Sequence, residues 1–146
     1  MSITKTNLNE EEIKKIVELD KTATKEIDWW GRTTAKEFKD FNKKRVIYSI
    51  TWKKQIVGFA RTKELLQKDG IHNAKKKEKT IALEDLYILE KYRKKGLATK
   101  TLKEIILDVK KQRFDKINLS SGQDLEKFYK KSGFKTYFVN MHLKLK

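Results

Sequence analysis

Neither cysteine nor proline occurs in the 146 residues, and glycine and histidine are scarce, at six and two. Without a thiol there is no disulfide, no thiolate metal site and no cysteine acyl-enzyme, so any group transfer runs by direct attack or on a less common nucleophile. The two histidines, His72 and His142, stand far apart in the chain. With no cysteine beside them they assemble no metal-ligand cluster, so no metal site is expected and neither histidine is given a role. With so few breakers, element boundaries have to be read from hydrophobic period. No apolar run approaches membrane-spanning length, Met1-Ser2-Ile3-Thr4-Lys5 has no apolar leader core, and no internal repeat is visible. A cytoplasmic chain with no membrane partner is therefore expected.

Positive charge is in excess. Thirty-six lysines and arginines against 20 aspartates and glutamates give +16. Such a surface favours polyanions such as coenzyme A, nucleic acid or acidic lipid, although solubility alone can account for many lysines. The length suits one domain, residues 1–146, with one sizeable core.

Leu8-Asn9-Glu10-Glu11-Glu12-Ile13 reads as a helix entry, with Asn9 as N-cap, Glu12 at N3 and a Leu8/Ile13 staple. Ile13, Ile16 and Val17 then share a face. Trp29 and Trp30 follow, either as the wall of an acceptor pocket or as packing at the core edge. A second helix is expected around Thr34 to Phe41, with Ala35, Phe38 and Phe41 on one side. Arg45 to Trp52 and Gln55 to Arg61 predict two strands joined at Lys53-Lys54, a turn that lacks the Asn-Gly pair favoured in hairpins. From Lys63 to Lys79 the reading is loop, with a turn at Gln67-Lys68-Asp69-Gly70. The basic run after it is either solvated or turned toward an anionic ligand.

Thr80 to Leu89 is apolar on both alternating faces, as a central strand covered on both sides should be. Glu84 and Asp85 interrupt it, and a carboxylate inside such a strand is costly unless paired, solvated by a cleft or protonated. Simple alternation places Glu84 with Leu86 and Ile88, and Asp85 with Leu83 and Tyr87. With a cleft on the Ile88 side, Glu84 becomes the candidate base and Asp85 a structural or substrate-binding group. The equal alternative is a strand-end carboxylate paired with one of the many lysines.

Next comes Tyr87-Ile88-Leu89-Glu90-Lys91-Tyr92-Arg93-Lys94-Lys95-Gly96-Leu97-Ala98, in which a strand passes through a basic turn into a helix. Bare N–H groups and a positive dipole end make such a helix start an anion site. The helix carries Leu102, Ile105, Ile106 and Val109 on its core face. A short strand at Lys116 to Ser120, a turn at Ser121-Gly122-Gln123-Asp124 and a helix bearing Leu125, Phe128 and Tyr129 follow. The alternation implies a parallel crossover with a ligand site at the strand C-termini. Val139 to Leu145 alternates like a strand closing the sheet.

Arg93-x-x-Gly96-x-Ala98 resembles the Q/R-x-x-G-x-G/A pyrophosphate loop of the GNAT superfamily of N-acetyltransferases. Phe128-Tyr129-Lys130-Lys131-Ser132-Gly133-Phe134 is similar to that family's F-Y-x-x-x-G-F segment, and Ile56-Val57-Gly58-Phe59-Ala60 to its third strand. The likeness runs in order from about Arg45 to the C-terminus. The chain departs from the pattern in carrying Glu90 where many members have proline, Ala98 as the smaller variant of the last glycine, and Gly122 where some place an asparagine that holds the acceptor.

The resemblance implies a mixed α/β (α+β) fold. Its sheet would be mostly antiparallel, with helices on both faces and a parallel β-α-β core around the pyrophosphate loop. It implies acetyl-CoA as cofactor and direct acetyl transfer to a primary amine. Tyr87, Ile88, Arg93, Lys94, Lys95, Gly96, Leu97, Ala98 and Thr99 would bind the coenzyme, the backbone N–H near Ile88 would meet the oxyanion, and Tyr129 would be the acid. Glu84 or Asp85 is the candidate base, and Trp29 and Trp30 are candidate acceptor contacts. The acceptor would be a small molecule, a protein or an RNA-linked amine such as aminoacyl-tRNA, and the excess charge disfavours polycations. A non-catalytic acyl-CoA or nucleic-acid-binding module of the same fold is the alternative, and a homodimer is compatible with either.

Overall fold

The computed structural model describes residues 1–5, 9–27, 30–31, 34, 36–37, 45–65, 78–137, 139, 141 and 143–145. Among them, α1 (Glu10–Glu26) starts as its sequence dictates: the Asn9 side chain accepts from the Glu12 N–H at 2.9 Å, and Glu10, Glu11 and Glu12 face the positive dipole end. The staple partner Leu8 lies outside the described residues, as do Trp29, both histidines, most of the basic loop, and Ala35, Phe38 and Phe41. Thr34 and Glu37 nonetheless make the reciprocal bonds of a capping box, at 2.6 and 3.2 Å.

Among the described residues five strands lie in chain order: β1 (Ser2–Lys5), β2 (Arg45–Trp52), β3 (Gln55–Leu65), β4 (Thr80–Ile88) and β5 (Lys116–Asn118). The first four pair antiparallel and β5 pairs with β4 in parallel, so α2 (Leu97–Lys111) must carry the chain back across the sheet. The β2–β3 turn is made without glycine or asparagine. Lys53 and Lys54 both take positive φ, 45° and 64°, as the tightest hairpin requires.

Two apolar layers enclose the sheet. Ile13, Ile16, Leu19 and Ala23 of α1 pack with Ile47, Phe59 and Tyr87 on one face. Leu102, Ile105 and Val109 of α2 pack with Tyr48, Ala60, Ile81 and Leu83 on the other. This is the expected mixed, mostly antiparallel architecture with helices on both faces. After β5, a 3-10 turn (Gln123–Leu125) leads into the short α3 (Glu126–Lys131), which the sequence predicts as a single helix.

The ends of the chain differ from expectation. Strand β1 was not foreseen, because four residues are too few to show a period. The described residues of the 139–145 stretch carry no strand, and Val139, Met141, Leu143 and Leu145 are exposed. Alternation specifies a strand only where an edge is available to pair, and β5 offers three residues. Among the described residues, no helix is long and apolar enough to cross a membrane.

Candidate active site

The site is built along β4, and its first feature is a break in register. Arg61 pairs with Asp85 but Thr62 pairs with Leu83, so Glu84 is one residue too many for the ladder. Such a bulge reverses the alternation beyond it. Ile81 and Leu83 face α2, whereas Tyr87 faces α1. This corrects the simple parity reading: Glu84 does not side with Leu86 and Ile88, nor Asp85 with Leu83. Both carboxylates turn toward the face of Arg61 and Arg45.

There they form a charge cluster. Glu84 Oε2 sits 3.2 Å from Arg45 Nε and 3.3 Å from Arg61 Nε, and Asp85 pairs with Arg61 Nη2. The Asp85 side chain is only 11% exposed. Burial pushes its carboxyl up to about 6, aided by the nearby charges of Glu84 and Asp20 and opposed by Arg61. Asp20, fully buried on α1, accepts from Trp30 Nε1 at 2.9 Å. A carboxyl in that range exchanges a proton near neutral pH, while Glu84 is engaged by two guanidinium groups.

A small cavity of about 50 Å³ joins these groups to the other predicted residues, with Trp30, Glu84, Asp85, Leu86, Ser120, Ser121 and Tyr129 in its lining. It lies where β4 and β5 part. Their pairing ends at Ala82 and Asn118, which leaves β4 from Leu83 to Ile88 without a strand partner on that side among the described residues. The Tyr129 ring is held edge-on between Phe128 and Phe134, at 4.9 and 5.8 Å. Burial raises its pKa, so the phenol keeps its proton. Trp30 packs edge-on to Phe59 and Tyr87 in the core, as the packing reading expects, and also borders the cavity.

At its far end β4 passes through a 3-10 turn (Glu90–Tyr92) into α2. Gly58 lets the strands close here, since a Cβ in its place would collide with the Tyr87 carbonyl oxygen. The turn uses positive φ at Lys94, 59°, and at Gly96, 73°. Gly96 is the N-cap and has no side chain to give, and no acid stands in the first turn of α2. The first intrahelical bond runs from the Lys100 N–H to the Gly96 carbonyl at 3.0 Å, so the N–H groups of Leu97, Ala98 and Thr99 have no helical acceptor. Lys94 and Lys95 are exposed beside them.

Arg93 is placed differently from the other turn residues. Its Nε donates to the Ile88 carbonyl at 2.8 Å, its Nη2 meets Glu26 Oε2 at 2.6 Å, and the guanidinium lies over the Tyr87 ring. Tyr87 and Ile88 are themselves buried, one under each helical layer.

The sequence reading missed Asp20, Glu26, Arg45, Arg61, Ser120 and Ser121. Asp20 carried a signal: it falls four after Ile16 and three before Ala23, a charge within the apolar stripe of a helix. The arginines gave none, because their partners depend on the bulge.

Comparison with known proteins bears on the whole arrangement. A search of curated proteins finds no match. Among solved structures, a tetramutant of the BH1408 protein from Bacillus halodurans superposes with a TM-score of 0.78 at 18% identity, covering 99% of this chain and 100% of its own. A predicted acetyltransferase with acetyl-CoA from Clostridium acetobutylicum gives 0.74 at 18%, covering 99% and 97%. An aminoglycoside acetyltransferase from an uncultured soil metagenomic sample, in complex with sisomicin, gives 0.70 at 12%, covering 99% and 97%. These likenesses concern the fold. The family model for GNAT acetyltransferases matches residues 11–134, most of the chain including both ends of β4, and the chain belongs to the acetyltransferase (GNAT) family.

Proposed function

We propose that the protein transfers an acetyl group from acetyl-coenzyme A to a primary amine, with Asp85 as the base and Tyr129 as the acid. The observation that carries this is the meeting of a buried carboxyl poised near 6 and a protonated phenol at one cavity, beside the open edge of β4. Bound acetyl-coenzyme A supplies a thioester carbonyl open to attack by a neutral amine.

The residues of the α2 start fit the phosphate end of that molecule. Three N–H groups without helical acceptors, the dipole and two exposed lysines converge there, and nothing acidic competes in the first turn. Leu83 to Ile88 can pair with the pantetheine arm as an added strand, and an N–H of that edge can meet the oxyanion. Asp85 takes the proton that the attacking nitrogen sheds, and Tyr129 returns one to the departing sulfur. Arg61 and Arg45 hold Glu84 and keep the cluster from carrying an unpaired surplus of negative charge.

The acceptor amine enters beside Trp30. Local carboxylates favour an ammonium at close range, while the +16 surface resists polycations at longer range and suits a singly charged or phosphate-bearing amine. Thiol release from acetyl-coenzyme A over a panel of small amines, peptides and aminoacyl-tRNA tests activity and acceptor together. Coenzyme uptake with no transfer to any member of the panel would favour the non-catalytic module.

A further inference from the structure

Glu26 is the last residue of α1, remote in sequence from the coenzyme turn, yet it is the hub of that turn's side-chain contacts. One carboxylate oxygen accepts from the Tyr87 hydroxyl at 2.9 Å and the other from Arg93 Nη2 at 2.6 Å. Arg93 in turn donates to the carbonyl of Ile88, where β4 ends, and lies 5.5 Å from the Tyr87 ring centroid. The carboxylate therefore closes a ring through β4, the basic turn and α1. Beyond Glu26 the chain leads within a few residues to Trp30, whose N–H bonds the Ile27 carbonyl at 3.0 Å, and Ile27 and Trp30, not the clasp itself, line the cavity.

We infer that Glu26 is a positioning residue for the coenzyme, holding Arg93 back against β4 so that the turn presents its bare backbone donors before any ligand arrives. This inference rests on the proposed coenzyme reading. The opposite role is conceivable in charge alone, since a carboxylate near a phosphate site repels and its loss would free a guanidinium. Geometry weighs against that. The Arg93 charge is already directed toward α1 and committed to three partners, while the phosphates would meet N–H groups of α2. Ordering a loose turn on binding costs more than one screened repulsion across a solvent-exposed rim.

The test is calorimetric titration of acetyl-coenzyme A into the wild type, Glu26→Gln, Arg93→Ala and the double variant, with thermal melting of each unliganded protein. Glutamine keeps the size and an acceptor for Tyr87 but loses the charge that holds Arg93. Glu26→Gln should weaken coenzyme binding by roughly 3- to 10-fold. In the Arg93→Ala background the same change should add nothing, because the two act as one unit. Unliganded melting should stay within about 3 °C of wild type. Unchanged or tighter binding in Glu26→Gln, additive losses in the double variant, or a melting drop that accounts for the lost binding would each overturn the inference. No uptake by the wild type would overturn the coenzyme reading and this inference together.

Discussion

The two ends of β4 solve opposite problems. At the bulge the groups proposed to act are side chains, with Asp85 mostly buried, its neighbours Arg61 and Glu84, and Tyr129 across the cavity. Past the buried Tyr87 and Ile88 the chain reaches solvent in the turn, and the groups proposed to act are main-chain N–H donors that Gly96 leaves uncapped. Burial is useful at the first end because it moves a carboxyl toward neutral pH; exposure is useful at the second because donors must stay available to a ligand. The start of α1 sharpens the lesson. It has a capping asparagine and three glutamates in its first turn, so it satisfies its own donors and dipole, whereas the start of α2 has neither device.

Substitutions can break this division in order of expected size. Asp85→Asn should lower kcat by roughly 10²- to 10⁴-fold. In the wild type the carboxyl is protonated below about 6, so activity should climb as pH passes upward through that value, and a pH–rate profile of the variant should lack this limb. The linkage to stability has the same origin. A folded value raised above the ordinary one means that Asp85 favours the fold most in acid and loses that contribution as pH rises through about 6. Denaturant melts of Asp85→Asn should therefore vary less than those of the wild type across that range.

Tyr129→Phe keeps the ring packing and removes only the hydroxyl, so it should cost about 10²-fold in kcat with little change in coenzyme affinity. Equal turnover in steady-state assays would take the acid role from it. At the other end, Gly96→Ala forces a Cβ into left-handed backbone at a cost of about 1–2 kcal/mol, readable as a lower melting temperature together with weaker coenzyme binding. Glu84→Gln should have the smallest effect on rate, less than about tenfold. It removes a negative neighbour and leaves Arg61 to Asp85 alone, so the acid limb should move to lower pH. Loss of the limb together with a fall in rate as large as that expected for Asp85→Asn would return the base role to Glu84.

The turn end was legible in the sequence, because a single glycine among basic residues before an apolar helix encodes an uncapped start directly. So was the crossover, since Leu102, Ile105 and Val109 mark the face of α2 that must lie on the sheet. The bulge was not legible. Period-2 reading assumes one residue per rung, and nothing in Leu83-Glu84-Asp85-Leu86 announces the extra one; only the pairing with Arg61 and Thr62 does. Hence Asp85 was placed rightly with Tyr87 but wrongly with Leu83, Glu84 was given the wrong face, and the arginines that hold the two carboxylates went unseen. Trp30 was offered as core packing or acceptor-pocket wall; it packs in the core and also lines the cavity.

The extra rung also marks where the strand could lose length without turning over. Were Glu84 deleted, Leu83 and Asp85 would become consecutive rungs opposite Thr62 and Arg61, and Asp85 and Tyr87 would keep their places on the α1 face. What such a deletion removes is the carboxylate that meets both Arg45 and Arg61.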